Sequence, residues 1–207
     1  MSTAHWLRKI LLGAALSLAC TCVSAQALIV FCYNWGCKDQ QAVSYSDVWL
    51  RKAVQPLRQA KTPEAERAAV AEVVHRFYLK AAEQTPIASD EPGNPEDDTV
   101  NGRMDCIDHS TSTKNILSYL QHRKLLRWHV IGPYAHRTVL VLSHYSATLI
   151  ETEADGSEDE RMYTVDPWDS DRSASPPVQT VREWAGPRFY TLETQHHTLA
   201  SPTALAR

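Results

Sequence analysis

The sequence lacks any cluster of lysine and arginine. Its 21 basic residues are outnumbered by 24 acidic ones, which gives a formal net charge of −3, and they form no stripe along the 207 residues. Affinity for nucleic acid rests largely on clustered basic side chains. We therefore expect no nucleic-acid partner.

Metal-binding motifs are also missing. No Cys-x-x-Cys or His-Glu-x-x-His pattern occurs, and the acidic residues of segment 84–102 lack the alternating spacing of a calcium-binding EF-hand loop. Asp105, Asp108 and His109 lie beside Cys106, but neighbouring residues of this kind rarely converge on one ion without a second group of ligands. We expect neither a metal nor a cofactor.

No apolar run in the sequence reaches the length of about 20 residues that a helix needs to span a bilayer. The apolar run at 10–19 follows Arg8 and Lys9 and precedes Val23-Ser24-Ala25. This layout is typical of a secretory signal peptide. We predict that residues 1–25 are removed, that no stable membrane span remains, and that the protein is periplasmic or secreted. A membrane anchor or a lipoprotein attached through Cys20 or Cys22 fits the pattern less well.

The cysteines that follow the signal segment are odd in number. Cys32, Cys37 and Cys106 remain, in a compartment that favours disulfides. Cys32 and Cys37 flank only four residues, so we predict a disulfide between them and a free thiol at Cys106. The alternative is that Cys32 and Cys37 stay reduced as small buried residues.

The 182 residues after the signal segment suit one domain with a hydrophobic core. We place it at 26–194 and predict a disordered tail at 195–207, where no periodicity occurs. Ser46 marks one helix start, and Thr62 followed by Pro63 marks a longer helix. The segment 84–102 is rich in Pro, Gly, Asn and acidic residues and predicts a loop.

Beyond this loop the pattern changes from helix to strand. Ile116, Leu117 and Leu120 form an apolar stripe that predicts a helix over 113–123, so Cys106 lies at or near a helix N-terminus. Branched and aromatic residues predict strands at 127–131, 138–150, 161–165 and 188–192. The fold class is therefore α+β.

The position of Cys106 favours a reactive thiol. A cysteine is a nucleophile only as the thiolate, and its ordinary pKa of about 8.5 leaves it mostly protonated at neutral pH. The unpaired N–H groups and the positive dipole end of a helix N-terminus stabilise the charge in part. A neighbouring imidazolium would supply the rest.

The turn signal at 154–157 places a histidine opposite a carboxylate. A hairpin that bends near Asp155 pairs His144 with Asp166, at a Cβ separation of about 5 Å. His136 would face Asp166 only if the bend lay within 149–152, which is strand-like. The same register pairs Tyr145 with Val165 and Ala147 with Tyr163 on the opposite, apolar face. The alternative is an exposed His/Asp pair that has no catalytic role.

These residues resemble a known family. A cysteine at a helix start (Met104-Asp105-Cys106-Ile107-Asp108), a histidine on a strand (His144-Tyr145-Ser146-Ala147) and an aspartate at a strand end (Tyr163-Thr164-Val165-Asp166-Pro167-Trp168) are similar to the transglutaminase-like and bacterial transglutaminase-like cysteine peptidases of the papain-fold superfamily. The likeness covers about residues 102–184 and extends to uncharacterised secreted proteins of proteobacteria. It implies a nucleophile helix packed on an antiparallel sheet, with Cys106, His144 and Asp166 as a triad.

The function expected from this likeness is a hydrolase or acyl transferase that acts on a peptide or isopeptide amide, including cell-wall peptides. Trp168 and Trp184 are candidate walls of a substrate groove, although large aromatics more often lie in a core. No clear upstream glutamine offers an oxyanion donor; Gln84 and Asn101 are weak candidates, and main-chain N–H groups are the alternative. A non-catalytic envelope protein that binds a peptide or an assembly partner is the rival interpretation.

Overall fold

The computed structural model describes residues 26–94, 96–139 and 142–196. The predicted signal segment and the tail beyond residue 196 lie outside the described residues. Within these ranges the strands are β1 (Gln26–Tyr33), β2 (Asp39–Ser46), β3 (His129–Ile131), β4 (Tyr134–Val139), β5 (Leu142–Glu151), β6 (Met162–Val165), β7 (Val178–Thr180) and β8 (Tyr190–Glu193). The α-helices are α1 (Asp47–Ala53), α2 (Gln55–Gln59), α3 (Pro63–Ala82), α4 (Cys106–His122), α5 (Glu158–Arg161) and α6 (Val181–Ala185). The mixed α+β class is confirmed.

Helix starts follow the local capping chemistry. The Ser46 side chain accepts from the N–H of Trp49 at the start of α1, and Thr62 accepts from the N–H of Ala65 ahead of Pro63 in α3. Both predicted starts are confirmed. Helix α4 begins at Cys106 itself, seven residues earlier than the start predicted from its apolar stripe.

The main sheet is antiparallel, in the order β7-β6-β5-β4-β8, with β3 paired to the far end of β5. Segment 84–102 is a loop, as predicted, and its described residues include a 3₁₀ turn at Pro86–Ser89. The strand predicted over 138–150 is wrong in extent, because its first residues belong to β4 and the rest to β5.

The predicted register of the β5–β6 hairpin is wrong by two residues. Ala147 pairs with Val165 instead of Tyr163, which moves the centre of the turn from Asp155 to Gly156. The connection contains the short helix α5 and a left-handed Gly156 (φ 120°), which the turn signal alone did not reveal. A slip of two residues leaves every side chain on its original face, so His144 and Asp166 still share one.

An N-terminal hairpin of β1 and β2 was not predicted. Its strands pair along their full length from Gln26–Ser46 to Tyr33–Asp39, and a disulfide joins Cys32 to Cys37 across the turn, as predicted. The hairpin packs against α4, whose Ser112 hydroxyl accepts from the N–H of Cys32. The disulfide therefore lies beside the helix that begins at Cys106.

The main core lies between α3, α4, the β1–β2 hairpin and one face of the main sheet. Its members are fully or nearly buried and include Phe31, Tyr45, Phe77, Leu117, Leu120 and Leu149. A second, smaller cluster is formed by residues of β4, β6 and α6: Ala135, Met162, Val181, Trp184 and Ala185. Strand alternation puts Val165 and Met162 on opposite faces, so this second cluster covers the other face of the sheet. No helix in the described part of the chain is long and apolar enough to cross a membrane.

Candidate active site

The N-terminus of α4 presents Cys106 at the first helical position. Asp105 is the N-cap and forms a reciprocal capping box with Asp108, so that each carboxylate accepts from the other residue's backbone N–H. The N–H groups of Cys106 and Ile107 lie in the first turn, where no intrahelical acceptor exists. The helix thus directs unpaired donors and its positive dipole end toward the half-buried thiol.

The disulfide loop holds the two acidic neighbours of Cys106. The N–H groups of Trp35 and Cys37 donate to the carboxylate of Asp108 at 2.8 and 2.6 Å, and the N–H of Gly36 donates to Asp105 at 2.9 Å. Burial, together with the nearby Asp105 carboxylate, raises the pKa of Asp108. Both acids therefore cap the start of α4.

The sulfur of Cys106 lies against the backbone of β5 on both sides of His144. It is 3.7 Å from the carbonyl oxygen of Ser143, and the backbone N–H of Tyr145 donates toward it. Burial raises the pKa of the Cys106 thiol to about 12; the Tyr145 N–H opposes this shift, and the negative charges of Asp105 and Asp166 add to it. A base within reach is required if this thiol is to react near neutral pH.

His144 and Asp166 form a buried hydrogen bond. The Nε2 of His144 lies 2.6 Å from Oδ2 of Asp166, and each side chain is 7 % exposed. Although burial disfavours the carboxylate, hydrogen bonds from His144, from the Trp184 indole and from the Trp168 N–H hold the pKa of Asp166 below its usual range. The carboxylate therefore stays charged and fixes the imidazole.

The other ring nitrogen of His144 has no partner. Its Nδ1 is buried without a hydrogen bond, while Nε2 is occupied by Asp166. The rings of Trp168 and Trp184 lie 4.7 and 5.5 Å from the imidazole, centroid to centroid. The imidazole is thus held in place with one nitrogen left to accept a proton.

The two tryptophans differ in their surroundings. Trp184 is 3 % exposed, and its Nε1 donates to Oδ2 of Asp166 at 2.7 Å, so its ring belongs to the support of the carboxylate. Trp168 is half-buried beside His144, and its backbone N–H donates to the other Asp166 oxygen at 3.3 Å. Of the predicted groove walls, only Trp168 keeps part of its surface open to solvent.

The competing histidine is engaged elsewhere. The Nδ1 of His136 lies 2.9 Å from Oε1 of Glu193, and its ring stacks on Tyr145 at 4.3 Å. His136 pairs with Tyr145 across β4 and β5 and therefore points to the face opposite His144. The choice of His144 over His136 as the partner of Asp166 agrees with the structure.

The weak oxyanion candidates both have structural partners. The Gln84 side chain bonds the backbone N–H and the carbonyl of Ser44 in β2, and Oδ1 of Asn101 accepts from Asn34 in the disulfide loop. This leaves the main-chain donors of the α4 N-terminus as candidate oxyanion donors.

The acidic residues near the site are also bound to protein groups. His109 lies 3.0 Å from Asp90, and Arg103 forms ion pairs with Glu91 and Asp97. Ligand atoms of Cys32, Cys37 and Asp108 lie within 4.8 Å of one another, but both sulfurs are held in the disulfide and lack the thiolate that a metal needs. This donor set does not suit a metal ion.

Several contacts at the site and on α4 were not predicted from the sequence. They are the hydrogen bond from Trp184 to Asp166, the position of Arg137 opposite His144, and the position of His196. The Nε2 of His196 lies 3.3 Å from the Ser110 hydroxyl in α4. His196 lies two residues beyond the predicted domain end. A signal for α6 was present, since Thr180 and Glu183 have capping-box spacing, but nothing in the pattern indicated the contact of Trp184 with Asp166.

Comparison with known proteins adds no relative. No family model matches the chain, and no curated protein or solved structure matches it either. The function therefore has to be inferred from the geometry of the site.

Proposed function

We propose that the protein is a thiol-dependent hydrolase or acyl transferase that acts on a peptide or isopeptide amide, with an arrangement like that of the papain and transglutaminase-like enzymes. The observation that carries the proposal is the buried His144–Asp166 bond, which leaves Nδ1 of His144 without a partner. The Cys106 sulfur lies against the backbone of Ser143 and Tyr145, the two neighbours of His144 in β5. The burial of both side chains argues against the alternative of an exposed His/Asp pair.

The reaction has two halves. The Cys106 sulfur attacks the amide carbonyl carbon while its proton passes to Nδ1 of His144, and Asp166 stabilises the resulting imidazolium. The N–H groups of Cys106 and Ile107 in the first turn of α4 hold the oxyanion. The imidazolium then protonates the departing amine as the carbon–nitrogen bond breaks, which leaves a thioester.

In the second half the imidazole takes a proton from water or from an acceptor amine. The activated oxygen or nitrogen attacks the thioester, and the sulfur departs and recovers its proton from His144. Water gives a peptidase, amidase or deamidase; an amine gives a transglutaminase. We propose a peptide or protein, including a cell-wall peptide, as the substrate class.

We place the protein in the periplasm or outside the cell. The signal-like pattern of residues 1–25 supports this location, and so does the Cys32–Cys37 disulfide, because structural disulfides persist in oxidising compartments.

The pH dependence of Cys106 alkylation separates this function from the non-catalytic binding protein. Iodoacetamide labelling of Cys106 is followed by mass spectrometry between pH 5 and pH 11. A thiol paired with His144 reacts with a midpoint below the ordinary value of about 8.5. A thiol in the same place without proton transfer to His144 has a midpoint well above that value, because burial raises its pKa to about 12.

The two hypotheses thus displace the midpoint in opposite directions from an ordinary cysteine. Cys106→Ala identifies the labelled site, since the other two cysteines of the described chain are held in the disulfide. A midpoint above 8.5 would count against the enzyme and in favour of the peptide-binding protein.

A further inference from the structure

Trp184 and Arg137 form a chain of contacts that ends on the candidate triad. Trp184 lies in α6, on the face of the sheet away from α4, and its Nε1 donates to the same Asp166 oxygen that binds His144, at 2.7 Å. Arg137 lies on β4, directly opposite His144. Its guanidinium sits over the Trp184 ring at 4.3 Å and donates to the Trp184 carbonyl oxygen.

We propose that Trp184, clamped by Arg137, is a positioning residue for the reaction, which sets both the orientation and the protonation of Asp166. This inference rests on the proposed function, because it assigns the indole a role only if His144 and Asp166 act on Cys106.

Geometry gives the first reason. A carboxylate that bonded His144 alone would be free to rotate about its Cβ–Cγ bond and to tilt toward other donors. Here Oδ2 accepts from two rings that approach from different elements, and Oδ1 accepts from the Trp168 N–H at 3.3 Å. Three donors on two oxygens define the plane of the carboxylate, and that plane fixes the direction of the imidazole.

Charge gives the second reason. Asp166 is 5 % exposed, so without donors its carboxylate would be neutralised by burial. The indole N–H stabilises the charged form, and hydrogen bonds to a charged group are stronger than neutral ones. Asp166 then keeps its charge at pH values where a buried carboxyl would otherwise hold a proton.

Arg137 makes its hydrogen bond and its cation–π contact with Trp184, and these two contacts hold the indole in place. Its interaction with the Asp166 carboxylate is a through-space attraction between the two charges. Loss of the guanidinium should therefore act mainly while the indole N–H is present, and this dependence can be measured.

The test uses three variants of the full chain and the alkylation of Cys106 as a function of pH. Trp184→Phe removes the N–H and keeps an aromatic ring, and Arg137→Met removes the guanidinium and keeps the stem. Trp128→Phe is the matched control, because Trp128 lies one residue before β3 and its ring centroid is 6.0 Å from the Arg127 guanidinium. Thermal unfolding of each variant is recorded together with its alkylation profile, to show whether the variant folds.

Trp184→Phe should lower the alkylation rate at pH 7 roughly tenfold, the effect of one hydrogen bond to a charged group. Its acid limb should move to higher pH, because Asp166 loses a donor that held its pKa down. Arg137→Met should move both in the same direction by less. The double variant should lose little beyond Trp184→Phe alone, because two residues that act mainly in series are not additive. Trp128→Phe should leave the pH profile unchanged.

The outcomes separate the two proposals. An ordinary or raised alkylation midpoint in the unaltered protein removes the proposed function, and this inference with it. A lowered midpoint that is identical in Trp184→Phe keeps the enzyme and refutes the positioning role. If Trp184→Phe does not fold, Arg137→Met decides, since an unchanged acid limb in that variant also refutes the clamp.

Discussion

His144 and Asp166 are bonded at 2.6 Å although they do not pair across the sheet. The β5–β6 ladder ends at Ala147 and Val165, so Asp166 lies one residue beyond it and His144 three residues before it. The backbone of β5 at Ser143 and Tyr145 is therefore not covered by β6, and the Cys106 sulfur occupies this position. The Cys106 thiol, which comes from α4, and the His144–Asp166 pair, which lies on the opposite face of the sheet, are therefore both located at the end of this ladder.

The first prediction concerns the base. His144→Ala should slow alkylation of Cys106 at pH 7 by about 10²- to 10⁴-fold, the usual contribution of a general base. The remaining reaction should rise with pH without a plateau near neutrality, because burial raises the pKa of the isolated thiol to about 12. Stopped-flow labelling measures both effects.

His136→Ala is the control for this experiment. That imidazole bonds Glu193 and stacks on Tyr145 on the opposite face, so its loss should leave the neutral rate within about twofold. Labelling that survives His144→Ala at the full rate would remove His144 as the base.

Several of these features could be predicted because they depend on neighbouring residues. Ser46, Thr62 and Pro63 set helix starts through contacts one turn long, and the Cys32–Cys37 spacing suited a disulfide. The shared face of His144 and Asp166 was also predictable, because a strand repeats every two residues and the register error was two.

The remaining features depend on contacts distant in sequence. The β1–β2 hairpin escaped prediction because its turn has four consecutive left-handed residues, 34–37, and only Asn34 and Gly36 are residue types that favour that conformation. Nothing local to α6 indicated that the Trp184 indole reaches Asp166, 18 residues earlier in the chain. Tertiary packing decides such contacts, and a pattern read along the chain does not contain them.

The second prediction concerns the charge of Asp166. Asp166→Asn keeps the size of the side chain but removes the negative charge that orients and stabilises the imidazolium, so alkylation and any amide hydrolysis should fall by about a thousandfold or more. The pKa of Asp166 is lowered in the folded state. Its stabilising contribution is therefore full above the unfolded value of about 3.9 and is lost as pH falls through the lower folded value.

Thermal unfolding between pH 2 and pH 7 measures that contribution. The melting temperature of the Asn variant should converge toward that of the unaltered protein at the acid end and differ most near neutrality. A constant difference over the whole range would show that the charge of Asp166 does not contribute to stability.

The third prediction concerns a buried carboxylate remote from the site. Glu66 is fully buried and accepts from the N–H groups of Arg127, Trp128 and His129 and from the His129 ring at 2.8 Å. Glu66→Gln replaces one of the two acceptor oxygens by an amide group that faces these N–H groups with donors of its own, and it should cost about 3–5 kcal/mol of unfolding free energy. Urea denaturation measures it.

The matched control for this variant is Glu72→Gln on the same helix. Glu72 pairs with Arg76 on the surface and its side chain is 45 % exposed, so its loss should cost less than about 0.5 kcal/mol. Equal losses of unfolding free energy in the two variants would show that the buried bonds of Glu66 to residues 127–129 contribute no more than a surface ion pair.

The last prediction links the disulfide to the nucleophile. Replacement of Cys32 and Cys37 together by serine should lower the unfolding free energy by about 2 kcal/mol, as expected for a short loop. It should also slow Cys106 alkylation, because the loop at 34–37 donates three N–H groups to Asp105 and Asp108 and is left-handed throughout. When the loop relaxes, two carboxylates beside the sulfur lose donors, and their charge then opposes the thiolate.

Cys106→Ser keeps the disulfide and should leave the unfolding free energy nearly unchanged. A serine double variant that loses stability but keeps the full alkylation rate and pH profile would show that the loop supports the fold without affecting the thiol.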